Sequence, residues 1–514
     1  MTGPAPMPAP GLVEGHAVTG AVRVDCDVVV VGSGAGGATL AAELADAGVD
    51  VVMIEEGGHH PTGSFTTDTG RALRTLYRDG GAGAALGRPP IAIAEGRCVG
   101  GSTVINGGMS WRTPPRVLQR WAREEAVAGV TPEAMERHFE KVERRISVAR
   151  QDPGSVGRDS ELLRLGAQRM GWRTIDNLRN QVHCAGQRLH PGLPDRGQAL
   201  DARDQRAARA VARRPPLCRL PGRSGHADGA PRDRRARALH PARWPAGPAP
   251  DRPRPRRGVA GGAVQTPALL ARSGFRSRSG RLGRCLALHP GAALTAIFDE
   301  PVVGWHGVHQ AYQVREFMDE GILITTVNLP PSLIAMDLPH HGAELGELMG
   351  SYDRMVTAGC LIEDSTSGRV RAVPGVGPIP VYQVTDDDCR RVVRGIALAA
   401  ELMFAAGATR VLLPFDGVGD LFGPDDARAL VRRPIPPRAI QLRTVHLMGT
   451  ARMSDDPTRG VVSSYGAFHD AEGLFVADAS LLPGPVGVNP MESILALVTR
   501  NAEWLIEHRE RYGI

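Results

Sequence analysis

A glycine-rich turn between two short apolar segments restricts the fold of this chain more than any other feature. Residues 27–31 read Asp-Val-Val-Val-Val and residues 51–54 form a second such run, as expected of strands buried on both faces. Between them lie Gly32, Gly34 and Gly37, followed by small residues that predict a helix. Glycines at this spacing permit a tight turn, close approach of a pyrophosphate and close packing of helix on strand. The pattern predicts a Rossmann-like dinucleotide-binding unit.

An acidic residue ends the second strand of this unit. Glu55 stands where a carboxylate can accept hydrogen bonds from both ribose hydroxyls of a dinucleotide. The start of the intervening helix offers free N–H groups and a positive dipole to the phosphates. A glycine motif alone is weak, but its place between strand and helix strengthens the prediction. It does not by itself distinguish FAD from NAD.

Length and composition limit the remaining possibilities. A chain of 514 residues is long for one core, so two intergrown domains are expected. No apolar run is long enough to span a bilayer. Residues 1–24 are rich in Pro, Ala and Gly, which predicts a disordered tail without a secretory signal, and a cytoplasmic location is expected. The seven cysteines include no Cys-x-x-Cys pair, so neither a metal site nor a disulfide framework is predicted.

The segment 187–257 differs from the rest of the chain. Residues 188–258 contain 18 of the arginines and six aspartates, so the other residues together carry a net charge of −6. This composition predicts disorder. Two origins remain open: a true insertion that binds anionic partners, or a shifted reading frame in GC-rich DNA, which the 60 arginines against one lysine favour. The segment lacks interleaved aromatics apart from Trp244, so nucleic-acid binding is not expected.

Three further segments resemble the glucose–methanol–choline (GMC) family of FAD-dependent oxidoreductases. The first includes Gly100, Gly101, Asn106 and Gly107, and is similar to the family's loop beneath the flavin. Paired glycines suit a backbone pressed against a flat ring. Members with covalent FAD carry a histidine where this chain has Glu95, so the resemblance implies FAD bound non-covalently.

The other two segments lie in the middle and at the C-terminal end. Residues 261–274 are similar to the family's second signature, although Phe275 and Arg276 depart from it. The C-terminal block contains a His-x-x-Gly-Thr-x-Arg-Met sequence and, further on, an Asn-Pro-Met sequence. The residues that this resemblance assigns are His446 and Asn489 at the catalytic centre, and Asp478, Pro490 and Met491 at the cofactor.

The roles also have a physical basis. The ordinary imidazole pKa of about 6.5 suits His446 as a base near neutrality, although a lone histidine among apolar residues is more often a core residue. Asn489 can hold the substrate oxygen or cap a helix, or both. Pro490 suits the first turn of a helix whose positive end would face the flavin pyrimidine. Asp478 can equally be a turn former.

The resemblance implies an α/β protein with a Rossmann-like FAD-binding domain and a discontinuous α+β substrate domain, an antiparallel sheet plus helices. The implied reaction is hydride transfer from a small-molecule alcohol to flavin N5, with oxygen, a quinone or a carrier protein as acceptor. The amino-acid sequence around Asn489 is most similar to that of the cholesterol oxidase and long-chain alcohol oxidase branch. The alternative is a catalytically impaired GMC remnant. The expected parts follow: tail 1–24, FAD-binding domain 25–120, 258–285 and 441–514, substrate domain 121–186 and 286–440, and the aberrant segment 187–257.

Overall fold

We describe a computed structural model over residues 11–18, 20, 24–181, 256–308, 310–327 and 329–514, and the backbone of 217–219. Its strands are β1 Leu12–Val13, β2 Val28–Val31, β3 Val51–Glu55, β4 Gly83–Ala85, β5 Ile91–Ile93, β6 Ala149–Arg150, β7 Thr174–Asp176, β8 Leu178–Arg179, β9 Leu217–Arg219, β10 Arg256–Val259, β11 Arg284–Leu286, β12 Gly291–Ile297, β13 Tyr312–Val314, β14 Ile322–Thr326, β15 Met355–Ile362, β16 Gly368–Val373, β17 Gly377–Val381, β18 Arg410–Leu412, β19 Leu442–Thr444 and β20 Leu474–Val476. Its helices are α1 Ala35–Asp46, α2 Thr69–Leu76, α3 Pro115–Glu124, α4 Pro132–Ile146, α5 Arg158–Met170, α6 Gly262–Arg272, α7 Pro331–Asp337, α8 Gly342–Met349, α9 Asp386–Ala406, α10 Pro424–Leu430, α11 Met491–Glu507 and α12 Arg509–Tyr512.

A parallel sheet forms the dinucleotide-binding part. Its strand order is β1-β9-β3-β2-β10-β20, and every neighbouring pair is parallel. The strand–helix–strand unit predicted from the glycine turn is β2-α1-β3, with Val28 opposite Val51. Helix α11 packs against α1 and places its start at one end of the sheet. The predicted Rossmann-like fold is confirmed.

A second, mostly antiparallel sheet forms the other part. Its strands run in the order β4-β5-β19-β12-β15-β14-β13-β7, and β18 also pairs with β12. The long helix α9 packs on one face together with α5. This face is apolar: Val356, Ala358 and Ile362 of β15 share a buried cluster with Val392 and Ile396 of α9. The predicted α+β domain with an antiparallel sheet is confirmed.

The domain boundaries differ from the predicted ones in two places. Strands β4 and β5 lie within 25–120 and β19 within 441–514, yet all three pair in the antiparallel sheet. Helix α4 lies within 121–186, but Phe139 and Val142 pack in the core that contains β2 and α11. The two domains exchange elements because packing partners, rather than chain position, decide where an apolar face is buried.

The prediction of disorder in the tail 1–24 and in the segment 187–257 is wrong at the residues that form strands there. Leu12–Val13, within the predicted disordered tail, forms a strand parallel to Leu217–Arg219, which in turn pairs with β3. Short apolar pairs can be ordered by a sheet edge that offers unpaired backbone groups. The other residues of 187–257, apart from Arg256 and Arg257 of β10, lie outside the described residues.

Two features are absent from the part of the chain that the structure describes. None of its helices is both long and apolar enough to cross a membrane. Within the same residues, no group of three or more His, Cys, Asp or Glu side chains is arranged to hold a metal ion.

Candidate active site

At two of its three glycines, the turn after β2 has backbone contacts that leave no room for a side chain. Gly32 has a φ of 103°, and a Cβ there would lie 2.2 Å from the carbonyl oxygen of Ala260. A Cβ on Gly37 would lie 2.0 Å from the carbonyl oxygen of Gly32. A Cβ on Gly34 would meet no described atom within 4 Å. The turn is therefore packed on the protein side and open at Gly34, the position predicted to face a pyrophosphate.

Glu55 is buried at the end of β3 beside this turn. Its Oε2 accepts hydrogen bonds from the backbone N–H of Ser33 at 3.0 Å and from the Ser33 hydroxyl at 2.7 Å. Its Oε1 accepts one from the N–H of Gly57 at 2.7 Å. The carboxylate is thus fixed before any ligand arrives. Oε2 already accepts two hydrogen bonds, whereas Oε1 accepts one and keeps acceptor capacity for a ribose hydroxyl.

The loop predicted to pass beneath the flavin joins the glycine turn to the start of α11. The N–H of Gly100 donates to the Ser33 hydroxyl at 2.9 Å, and a Cβ on Gly101 would lie 3.1 Å from Cα of Gly34. At its other end the Asn106 amide lies 3.0 Å from the sulfur of Met491.

Gly107 lies in the same loop, and its carbonyl accepts a hydrogen bond from the Arg179 guanidinium. The loop thus contacts the glycine turn through Gly100 and Gly101. Through Asn106 it contacts Met491, which is 385 residues away in the sequence.

The Asp478 carboxylate holds the backbone at Gly262 and Ser480 in place by accepting hydrogen bonds from their N–H groups. Its Oδ2 accepts from the N–H of Gly262 at 2.9 Å and from Thr266 at 2.5 Å, and its Oδ1 from the N–H of Ser480 at 2.7 Å. The side chain is therefore a turn former, one of the two predicted roles. A Cβ on Gly36 would lie 1.8 Å from the carbonyl oxygen of Ala477, so this turn presses directly on α1.

These features match what a bound FAD requires. The open side of Gly34, the start of α1 and the fixed Glu55 are arranged for a pyrophosphate and a ribose. Helix α11 begins at Met491, after Pro490, so its positive end lies beside the loop at Asn106.

His446 and Asn489 meet next to this helix start. Nδ2 of Asn489 lies 3.3 Å from Nε2 of His446, although 43 residues separate them. His446 follows β19, and its N–H donates to the hydroxyl of Thr444 at 3.1 Å. The side chain is 9% exposed, and burial lowers its pKa to about 4. The ordinary pKa expected from the sequence is therefore wrong, and the imidazole is neutral at pH 7.

A second histidine, which the sequence did not indicate, fixes the orientation of the first. Nδ1 of His289 lies 3.4 Å from Nδ1 of His446. Nε2 of His289 accepts hydrogen bonds from the N–H groups of Val486 at 3.1 Å and Gly487 at 2.9 Å. The proton of neutral His289 must then be on Nδ1, where it faces His446. No motif marked His289, because its partners come from distant segments.

Two acidic residues hold this histidine pair in place. Asp364 accepts hydrogen bonds from the N–H of Leu288 at 2.9 Å, from that of His289 at 3.2 Å, and from the hydroxyl of Tyr382 at 2.7 Å. Burial raises the pKa of Asp364 to about 6.

Its neighbour Glu363 anchors the loop that carries Asn489. Burial works to raise the pKa of Glu363, but contacts of 2.6 Å with Arg116 and 2.7 Å with Arg120 lower it overall. Arg120 also donates to the carbonyl of Pro485 at 3.0 Å. The loop before Asn489 is thus tied to a charged residue at the end of β15.

Comparisons with known proteins show the family to which the chain is similar. An FAD-binding-domain model matches residues 25–73, and two GMC oxidoreductase models match residues 73–213 and 365–497. An uncharacterized GMC-type oxidoreductase, y4nJ, of Sinorhizobium fredii is 33% identical over 97% of this chain and 98% of its own length. The long-chain-alcohol oxidase FAO3 of Arabidopsis thaliana is 25% identical over 93% of this chain and 67% of its own.

A similar fold is found among solved structures. The pyridoxine 4-oxidase structure from "Mesorbium loti" has a TM-score of 0.66 at 19% identity, covering 94% of this chain and all of that one. The match to the FAD-binding-domain model, together with the fold, defines a flavoprotein that uses FAD. More specifically, the chain belongs to the GMC oxidoreductase family.

Proposed function

We propose that this protein oxidises an alcohol, with His446 and Asn489 holding the carbinol oxygen. The observation that supports this most is the 3.3 Å contact between Asn489 Nδ2 and His446 Nε2 beside the start of α11. Bound FAD would supply the hydride acceptor. The two side chains would orient the substrate so that its C–H bond faces the ring.

His446 is proposed as the base that takes the hydroxyl proton at Nε2. Its neutral state at pH 7 provides a lone pair for this proton, and its pKa of about 4 makes it a weaker base than an imidazole of ordinary pKa. A proton donated by His289 to Nδ1 of His446 would place the proton of neutral His446 on Nε2 instead. The base role therefore requires this 3.4 Å contact to open when substrate binds. Asn489 then donates its amide hydrogen to the substrate oxygen.

The substrate is proposed to be a bulky apolar alcohol, either a long-chain alcohol or a sterol, with oxygen as the acceptor. Support comes from the sequence around Asn489 and from long-chain-alcohol oxidases among the relatives. FAD is proposed to be bound non-covalently, because Glu95 stands where covalent members carry histidine.

Anaerobic mixing of the purified flavoprotein with a panel of long-chain, sterol, aryl and sugar alcohols tests the proposal. An active alcohol should bleach the visible flavin spectrum, and oxygen should restore it with formation of hydrogen peroxide. His446→Gln should slow bleaching about 10²–10⁴-fold, the usual contribution of a general base. His508→Gln, a change at an exposed histidine, is the control and should leave the rate unchanged. Equal rates for His446→Gln and the unaltered protein would remove His446 from the mechanism.

We also propose that the segment 187–257 arises from a shifted reading frame. Its support is the abrupt change to Arg- and Pro-rich composition between two segments of ordinary composition. Resequencing the gene tests this, and a verified open frame through the segment would contradict it. A colourless, aggregating product that becomes yellow and active after frame repair would identify the present chain as an impaired remnant.

A further inference from the structure

The antiparallel sheet has a second face, which points away from α5 and α9. On β14, Ile324 packs in the apolar cluster that contains α9, whereas the preceding residue, Leu323, packs in the cluster that contains β2 and α11. Because side chains alternate between the two faces of a strand, Thr325 lies on the same face as Leu323. This second face is therefore directed towards the FAD-binding part.

The middle of this second face is partly open. Thr325, Gly359 and Ala293 lie opposite one another on the neighbouring strands β14, β15 and β12. All three are partly exposed although their strands are interior to the sheet, whereas Ala358 and Cys360, which point to the other face, are buried. Since the three residues are small, they form a shallow strip across the sheet, the sheet strip, that an extended apolar chain can occupy.

One end of the sheet strip adjoins the proposed alcohol site. His289 lies two residues before the start of β12, and its Nδ1 lies 3.4 Å from that of His446. Strand β13 is the third strand from β12 in the sheet. With neighbouring strands about 4.8 Å apart, the distance across the sheet from β12 to β13 is roughly 14 Å.

The other end of the sheet strip carries polar groups that have no partner. Gln313 of β13 lies opposite Thr325 and is 1% exposed, and neither its amide oxygen nor its amide nitrogen has a hydrogen-bond partner among the described residues. Nε1 of Trp111 and Nε of Arg315 are also buried without such a partner. The three side chains are grouped, because Cζ of Arg315 lies 4.3 Å from the centroid of the Trp111 ring and Arg315 follows Gln313 by two residues.

Arg315 also has no counter-ion. No carboxylate in the part of the chain that the structure describes forms an ion pair with it, and the adjacent Glu316 contacts Arg173 at 3.3 Å instead. Burial lowers the pKa of Arg315 to about 10, so the guanidinium remains charged at pH 7. Most of the unpartnered atoms here are N–H donors beside a positive charge, and a carboxylate is the group that satisfies such a set.

We propose that this end of the sheet strip binds a carboxylate of the substrate, an inference that rests on the proposed alcohol oxidation. The substrate is then a hydroxy acid with an alcohol at one end of a narrow apolar chain and a carboxylate at the other. The alcohol lies beside His446, and the chain crosses the sheet strip at Gly359. The carboxylate accepts hydrogen bonds from Arg315 and Gln313 and takes no part in the reaction.

Anaerobic reduction of the flavin by three probes of one chain length tests this inference. ω-Hydroxydodecanoate at low concentration should bleach the flavin at least tenfold faster than its methyl ester or dodecanol, because only the acid carries the anion. Equal rates for the three would overturn the carboxylate site and leave alcohol oxidation in place. Bleaching by a sterol but by none of the three would do the same, and no bleaching by any alcohol would overturn both proposals.

A substitution assigns the preference to Arg315. Arg315→Gln should lower the ratio of the rates for the acid and its ester at least tenfold, whereas Arg315→Lys, which keeps the charge, should restore part of it. Arg371→Gln, at an exposed arginine of β16, is the matched control and should leave the ratio unchanged. An unchanged ratio in Arg315→Gln would overturn the inference.

Binding without reaction gives a readout that needs no variant, so it remains decisive even if Arg315→Gln does not fold. Dodecanoate has no alcohol and should bind the purified flavoprotein at least tenfold more tightly than dodecanamide, measured by isothermal titration calorimetry. Equal affinity of the two probes would contradict a carboxylate site.

Discussion

The cofactor turn and the histidine pair are both buried, but they are built in different ways. Around Gly32, Gly34 and Gly37 the tight contacts are between backbone atoms, and the Glu55 carboxylate is fixed by nearby N–H groups and the Ser33 hydroxyl. Around His289 and His446 the contacts join side chains from distant segments, and burial lowers the pKa of both imidazoles.

The two regions should therefore be sensitive to different kinds of substitution. The cofactor turn depends on shape, because an atom added at Gly32 or Gly37 meets a backbone carbonyl group that cannot move away. The histidine pair depends on protonation, because each nitrogen has to be either a donor or an acceptor. Changes in side-chain size should therefore affect the first region most, and changes in hydrogen-bonding capacity or pH the second.

The largest effect on stability is expected for Gly36→Ala. The new Cβ would lie 1.8 Å from the carbonyl oxygen of Ala477, so either α1 or the turn before Asp478 must shift. Overpacking of this kind costs about 3 kcal/mol of unfolding free energy. Urea denaturation of the FAD-free protein measures it. Gly48→Ala is an informative comparison, because its Cβ meets no atom within 4 Å and only its φ of 84° is unfavourable.

Asp364→Asn should change how stability depends on pH. Folded Asp364 keeps its proton up to about pH 6, whereas the unfolded carboxyl loses it near pH 3.9. The unfolded state therefore binds fewer protons in this window, and Asp364 makes stability fall as the pH rises through it. The difference in unfolding free energy between unaltered and Asp364→Asn proteins should fall by roughly 2–3 kcal/mol from pH 4 to pH 6. Asp425→Asn, at an exposed position, should leave it constant.

His289→Asn tests what the histidine pair contributes to the rate of alcohol oxidation. The asparagine oxygen can accept from Val486 or Gly487 but cannot reach His446 as the imidazole does. We expect kcat for the best alcohol to fall about 10–100-fold with a small change in KM, because His446 loses the imidazole ring that packs edge-on against it, with centroids 5.5 Å apart, and fixes its orientation. The hydrogen bond between the two rings is not the cause of this loss, since it has to open for the base role. His469→Asn, whose side chain bonds to the carbonyl of Ser454, is the control. A shift in KM alone would assign His289 to substrate binding instead.

The smallest effect on the protein itself is expected for Gly34→Ala. The added methyl group meets no described atom and the φ of −65° is ordinary, so unfolding free energy of the FAD-free protein should change by less than about 1 kcal/mol. FAD affinity, measured by fluorescence titration, should nevertheless weaken at least tenfold. Unchanged affinity would show that the phosphates do not approach this residue.

Much of the cofactor region could be predicted because its parts are close in sequence. The β2-α1-β3 unit spans residues 28–55, and its glycine spacing, strand composition and final acid all indicate the same structure.

The sequence determined the local elements and, through resemblance to a family, named His446 and Asn489. Only the tertiary structure decided that His289 and Asp364 stand behind them, that β4, β5 and β19 join the substrate sheet, and that burial lowers the pKa of His446. Local patterns constrain backbone conformation within a few residues. Pairing of β-strands, desolvation and the partners of a buried polar group depend instead on which distant segments meet.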